Sequence, residues 1–201
     1  MKKVVLGFSG GVDSAVCSVL LKRQGYEVHG LYLDNTDENA LSDAVKTAEF
    51  VGIPLEVRDV RAELEEKVCR PFTACYLRGE TPNPCILCNP SMKFRNLIEE
   101  ADRIGAEHIA TGHYARCENG ILYKGRPSND QSYMLCLLDQ HRLSHILFPL
   151  GELTKAHVRE LAANAGLSVS QRGDSQDICF VPSGRYTDFI AARTGKTYPA
   201  G

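Results

Sequence analysis

Along the first sixty residues, short apolar runs alternate with stretches in which apolar positions recur at helical spacing. Val4–Phe8 is a brief apolar run ending in a Gly/Ser turn, which predicts a buried strand feeding a loop. From Asp13 to Gln24, Val16, Val19, Leu20 and Leu21 mark one helical face, and Gly25 stops the helix. Val28–Leu33 predicts a second strand. Ala40–Val51, with Leu41, Ala44, Val45 and Ala48 on one side and Gly52 and Pro54 beyond, predicts a second helix, and Leu55–Val60 a third strand. This β-α-β-α-β order calls for a parallel sheet with right-handed crossovers.

Further along, the pattern predicts a helix over Arg61–Leu77 broken near Pro71, and a rigid loop over Gly79–Pro90. A helix over Met92–Ile104 and a strand over His108–Thr111 follow. Tyr114–Lys124 predicts a hairpin turning at Asn119-Gly120. Asp130–Leu138, Lys155–Ala165 and Tyr186–Arg193 read as helices, and Lys196–Gly201 as a loop-like tail. The expected fold is α/β: a doubly wound parallel sheet of about five strands in a 3-2-1-4-5-like order. Residues 1–129 would form the main domain and residues 130–201 a helical extension. Ligands of such sheets lie at the switch point, beyond the carboxyl ends of the strands.

Composition narrows the class. The 201 residues contain no low-complexity tract and no apolar run of membrane-spanning length, and the N-terminal apolar stretch is too short for a signal peptide, so a cytoplasmic protein is expected. A net charge of −2 gives no global attraction for a polyanion, so an RNA partner would need a local basic surface. Eight cysteines are many for a reducing compartment, where they suggest metal binding or sulfur chemistry more than a disulfide framework. Cys17, Cys117 and Cys136 sit among apolar neighbours and read as small core residues.

The first strand delivers Ser9-Gly10-Gly11-Val12-Asp13-Ser14 to a helix start. Two adjacent glycines let backbone approach an anion closely, and a helix N-terminus aims free N–H groups at it. Ser9 and Ser14 add hydroxyls, and Asp13 is suited to hold Mg²⁺ on phosphates. No lysine follows the glycines, so this is not the G-x-x-x-x-G-K-[ST] loop. It resembles the PP-loop of the ATP pyrophosphatases, which split ATP into AMP and pyrophosphate.

In the second informative stretch, Thr81-Pro82-Asn83-Pro84-Cys85-Ile86-Leu87-Cys88-Asn89, two prolines stiffen the backbone around Asn83. Cys88 reads as lying just before a helix beginning near Ser91, where a helix N-terminus would lower its pKa. Far downstream, Asp174-Ser175-Gln176-Asp177-Ile178-Cys179-Phe180 sets another cysteine in a polar, turn-like context. As a bare pair, Cys85 and Cys88 suit half of a structural zinc site, but no second C-x-x-C supplies the other half.

With Gly7–Ser14, Lys93-Phe94, Ala110–Arg116, Asp130–Tyr133, Phe148–Leu150 and Val158-Arg159, these stretches resemble, in order, the tRNA-specific 2-thiouridylases, which place sulfur on C2 of the wobble uridine. The resemblance implies that Gly7, Phe8, Ser9, Gly10, Gly11, Val12, Asp13 and Ser14 bind ATP with Mg²⁺, with Leu33 and Gly112 near its adenosine. It implies that Asn83, Pro84 and Cys85 face the target base and that Asn129, Asp130 and Gln131 contact tRNA. Cys88 matches the family's nucleophile, and Cys179 the cysteine that carries a persulfide delivered by a sulfur-donor protein. Some family members have aspartate at the position of Cys85. With cysteine there, a second mechanism stays open, in which Cys85, Cys88 and Cys179 hold a [4Fe–4S] cluster.

The family continues into a linking domain and a C-terminal β-barrel that this chain is expected to lack. Asn129 and Gly173 stand where the family usually has lysines, so weak tRNA binding is expected. The runner-up function is an ATP pyrophosphatase that adenylates a carbonyl of a small molecule for attack by sulfur or ammonia. A non-catalytic nucleic-acid- or metal-binding module is a third class, disfavoured by the intact glycine loop. For His113 and Asp34, a place at the nucleotide and a merely structural role both stay open, as do phosphate contact and a solvated helix face for Lys93 and Arg95.

Overall fold

The computed structural model describes residues 1–35, 38–126, 129–168, 178–181 and 185–196. Its elements run β1 (Lys3–Gly7), α1 (Val12–Arg23), β2 (Glu27–Asp34), α2 (Glu38–Val51), β3 (Leu55–Asp59), α3 (Arg61–Leu64), α4 (Arg70–Leu77), α5 (Pro84–Cys88), α6 (Phe94–Ile104) and β4 (His108–Ala110). They continue through β5 (Ala115–Glu118), β6 (Ile121–Lys124), α7 (Gln140–Leu143), β7 (Ile146–Leu147), α8 (Lys155–Asn164) and α9 (Tyr186–Thr194).

Five strands form one sheet in the order β3-β2-β1-β4-β7, every pair parallel. The order reverses between β1 and β4, which makes that boundary the switch point. Strand alternation divides the core in two. Val4, Leu6 and Phe8 face α1, α2 and α8 in one cluster that includes Val16, Leu21, Ala48 and Val158. Val5, Leu31 and Ile109 face α6 in the other, against Phe94, Leu97 and Ala101. Burying one such side chain is worth about 1.5–3 kcal/mol, so a one-residue slip of β1 would empty both clusters at once.

The fifth strand is Ile146–Leu147, in a stretch whose sequence pattern marks no element. It pairs through Ile109↔Ile146 and Ala110↔Leu147. The hairpin β5–β6 turns where expected, with Asn119 at φ 52° and Gly120 at φ 74°, the two positive angles a two-residue turn of this type requires.

Three expectations are corrected. Helical structure passes Pro71 without a break: a π-helical turn, Glu65–Cys69, joins α3 to α4, and Arg70 N–H donates to Glu65 O. The Gly79–Pro90 loop becomes helix from Pro84. Asn83 caps it by accepting from Cys85 N–H, and Pro84 takes the first helical position, where a missing N–H leaves no further orphan. A second π-helical turn, Asn89–Lys93, carries this helix past Pro90 into α6. Both wide turns lie against a proline, whose absent N–H and bulky ring disfavour regular α-helical bonding. The third correction concerns Asp130–Leu138, which holds only a 3₁₀ turn, Ser132–Leu135. The Asp130 carboxylate accepts from Gly125 N–H, Ser132 N–H and Ser132 Oγ–H, local bonds that compete with a helix start.

Candidate active site

The glycine loop leaves β1 at its carboxyl end and enters α1 at the switch point. Gly11 is the N-cap residue, and no side chain caps the helix, so the first-turn N–H groups are open to an external acceptor. Ser14 Oγ donates to Gly11 O at 3.1 Å and lies 3.3 Å from Ser9 Oγ. Gly10 has φ +75°, and a Cβ there would meet Ala44 Cα at 2.5 Å, so backbone conformation and packing against α2 both demand glycine. At Gly11 an added Cβ would meet only Ser9 Oγ, at 3.5 Å, leaving the outer side of the loop open to a ligand. An uncapped helix start, two hydroxyls and an open glycine together fit a polyphosphate.

Asp13 is already engaged. Lys155 Nζ donates to its two carboxylate oxygens at 2.8 and 2.7 Å, and Tyr114 Oη–H donates to Oδ1 at 2.9 Å. Gly112 lies against this residue: a Cβ there would be 3.2 Å from Asp13 Cβ. The loop pattern points to Asp13 and the family resemblance to Gly112, but neither points to Lys155 or Tyr114. Lys155 stands 142 positions away, and its one unusual feature is a cation in the first turn of a helix.

Cys69, Cys85, Cys88 and Cys179 lie near enough to feel one another's charge, at the same end of the sheet as this loop. Cys88, Leu33 and Phe180 pack against a cluster of Val60, Leu64, Val68, Cys69 and Met92. Burial pushes the Cys88 thiol up to about 11, with the Lys93 ammonium pulling the other way and the charges of Cys179 and Cys85 pushing further. This corrects the expected lowering: the helix N-terminus is at Pro84, so Cys88 lies at the far end of α5, where desolvation dominates. Cys179 reaches the surface, yet crowding by protein raises its thiol too, again with Lys93 opposing and Cys85 adding. The sequence reading passed over Cys69, which is pushed up to about 11 by burial and then by Glu65, with further contributions from Cys179 and Cys88. Among the described residues, no group of three or more His, Cys, Asp or Glu could hold a metal ion.

His113 is buried, its Nδ1 2.8 Å from Thr111 Oγ1 and its ring stacked on Phe94 at 6.0 Å. Desolvation holds it well below the ordinary histidine range, helped by Lys93. Asp34 pairs with Arg61 at 2.8 Å, and Arg95 pairs with Glu63 and Glu99.

Asn83 is exposed, Pro84 buried and Cys85 half-buried on the first turn of α5. Asn89 Nδ2 donates to Met134 O at 2.9 Å, tying this helix to the segment that holds Asn129, Asp130 and Gln131. Gln131 is joined to Tyr114 by two bonds, Gln131 N–H to Tyr114 O at 2.9 Å and Tyr114 N–H to Gln131 Oε1 at 3.1 Å. Asn129 lies in a turn. Cys17 is buried and Cys117 half-buried, whereas Cys136 is exposed, which corrects its reading as a core residue. Gly173, Asp174–Asp177 and the tail from residue 197 lie outside the described residues.

The family model for the tRNA methyl transferase HUP domain matches residues 2–183. The tRNA-specific 2-thiouridylase MnmA of Syntrophotalea carbinolica is 44% identical over 214 positions, covering 100% of this chain and 61% of that protein. The chain thus spans about six tenths of that curated relative. Among solved structures, the predicted subunit of tRNA methyltransferase from Methanocaldococcus jannaschii has a TM-score of 0.53 at 21% identity, over 82% of this chain and 76% of that one. NMN synthetase from Francisella tularensis has a TM-score of 0.53 at 18% identity, over 98% and 79%. Both share the α/β fold. No helix among the described residues is long and apolar enough to cross a membrane.

Proposed function

The chain belongs to the tRNA methyl transferase HUP domain family, and from this we propose that it is the ATP-binding, sulfur-transferring part of a tRNA-uridine 2-sulfurtransferase. The observation that carries the reading is the placement of an uncapped glycine loop and a group of cysteines at one end of the sheet. The similarity to a tRNA-specific 2-thiouridylase over the whole chain supports the substrate class.

A uridine C2 oxygen is a poor leaving group, and its attack on the α-phosphorus of ATP, with release of pyrophosphate, makes it a good one. The glycine loop would hold the phosphate chain on its free N–H groups, with Ser9 and Ser14 as further donors. Leu33, at the junction of two apolar clusters, and Gly112 would flank the adenosine. Asp13 would accept Mg²⁺, which supplies charge neutralisation on the phosphates.

Sulfur would arrive on Cys179 as a persulfide from a donor protein. Its outer sulfur attacks C2, and the C2–O bond breaks to release AMP. Cys88 then attacks the Cys179 sulfur and breaks the S–S bond, leaving sulfur on C2 and a Cys88–Cys179 disulfide that an external thiol reduces. Lys93 opposes the upward shift of both thiols, so its charge favours the thiolate each step needs. The base would approach the exposed side of Asn83 and Cys85, at the first turn of α5.

The test is incubation of the purified chain with MgATP, tRNA and a persulfide donor, followed by nucleoside mass spectrometry and AMP measurement. Formation of 2-thiouridine with matching AMP is expected, with tRNA affinity weak and only shallowly salt-dependent, because the net charge is −2 and Asn129 and Gly173 supply no cation for a phosphate. AMP production indifferent to tRNA would favour a small-molecule acceptor and reject this reading.

A further inference from the structure

Lys155 breaks a local rule. It occupies the first position of α8, where the helix dipole disfavours a cation, while Thr154 beside it caps the same helix by accepting from His157 N–H at 3.1 Å. α8 packs against α1, which sets the first turns of the two helices side by side. Across that junction Lys155 makes a two-pronged pair with Asp13, and its Nζ lies 5.6 Å from the centroid of the Tyr114 ring. Its side chain is 18% exposed and that of Asp13 33%, so the pair is partly sheltered and yet reachable from solvent. Residues that violate local preferences without strengthening their own helix are expected at functional positions.

The same pair blocks the use proposed for Asp13. A carboxylate in the first turn of α1 repels the phosphates that the glycine loop attracts, and it cannot give its oxygens fully to a metal while Lys155 holds both. We infer that Lys155 is a ligand of the phosphate chain, kept in place by Asp13 until the nucleotide arrives. On binding of Mg-ATP the pair exchanges partners: the Asp13 carboxylate passes to the metal and the Lys155 ammonium to a phosphate oxygen. Both charges are paired before and after, so neither is left uncompensated in a partly desolvated site. Tyr114 keeps its bond to Asp13 and bounds the space into which Lys155 turns. This inference rests on the nucleotide reading of the glycine loop and adds a residue and a partner exchange to it.

Calorimetric titration of the full chain with Mg-ATP, Mg-pyrophosphate and AMP tests it, with thermal melting of each variant alongside. Lys155→Gln is expected to weaken Mg-ATP and Mg-pyrophosphate by about ten- to a hundredfold, the loss of one charge-assisted contact. AMP should change much less, and Lys155→Arg should recover most of the loss. Wild-type affinity for Mg-ATP in a folded Lys155→Gln variant would overturn the inference, as would equal weakening of all three ligands. Asp13→Asn supplies an independent arm: with Lys155 released and a carboxylate removed, it should bind metal-free ATP more tightly than the wild type. Unchanged or weaker metal-free binding would count against the exchange. If the wild-type chain binds neither ATP nor pyrophosphate, the nucleotide reading fails first and this inference with it.

Discussion

The glycine loop and the cysteine cluster stand at the same end of one sheet but are built on opposite plans. The loop is contiguous: Gly7 through Ser14 carry their own donors, and the backbone conformation that presents them is set by a positive φ at Gly10 and a helix start at Gly11. The cysteine cluster is assembled from Cys69 at the end of a π-helical turn, Cys85 and Cys88 on a capped helix, and Cys179 some ninety residues away. In the loop, the presentation of donors follows from local geometry, and Lys155 and Tyr114 reach Asp13 from afar. In the cluster, reactivity is imposed by neighbours: burial lifts the Cys88 and Cys69 thiols to about 11. A motif of backbone groups is robust to its surroundings, whereas a thiol acquires its character from them.

The largest effect should separate the two cysteines proposed to react from Cys85. Cys88→Ser and Cys179→Ser are each expected to remove 2-thiouridine formation, while Cys85→Ser retains most of it, as read by nucleoside mass spectrometry. Loss in all three, with iron bound by the wild type alone, would break the comparison, because the cluster would then be a ligand set and not a relay.

A smaller effect probes the thiols directly. With its pKa near 11, Cys88 should present about 300-fold less thiolate near pH 7.5 than an ordinary thiol titrating near 8.5. Its alkylation rate in the resting protein should therefore climb about tenfold per pH unit up to that value. Lys93→Met should slow it further, since Lys93 lowers this pKa. A rate that levels off near pH 8.5, followed by residue-resolved mass spectrometry, would show that burial does not control Cys88.

The smallest effect sharpens the loop side, where packing and conformation can be told apart. Gly10 and Gly79 share a left-handed φ, +75° and +78°, but an added Cβ at Gly10 would strike α2 and one at Gly79 would meet nothing within 4 Å. Gly79→Ala should cost about 1–2 kcal/mol for conformation alone. Gly10→Ala should cost about 1–3 kcal/mol more for overpacking. Urea denaturation of both variants measures the difference, and equal losses would mean that α2 yields to the intruding methyl.

Much of this molecule is legible in short windows of sequence. The first three strands and two helices announce themselves by apolar runs and period, the hairpin by Asn119-Gly120, and the glycine loop by its place between a strand and a helix, because each depends on residues within a few positions of one another. Tertiary structure decided the rest. Ile146–Leu147 is a strand only because β4 offers a free edge, too short a run for any period to register. Pro71 suggests a break and Pro90 the end of a rigid loop, yet π-helical turns carry the helices past both. Asp130 drew a helix assignment that its own side-chain bonds to Gly125 and Ser132 forestall. The shift of Cys88 depends on desolvation by Leu64, Val68 and Met92, and the partner of Asp13 on the packing of α8 against α1. Sequence proximity carries dihedral preference and hydrogen-bonding reach. Dielectric surroundings and the pairing of charges 142 positions apart exist only once the sheet has brought the segments together.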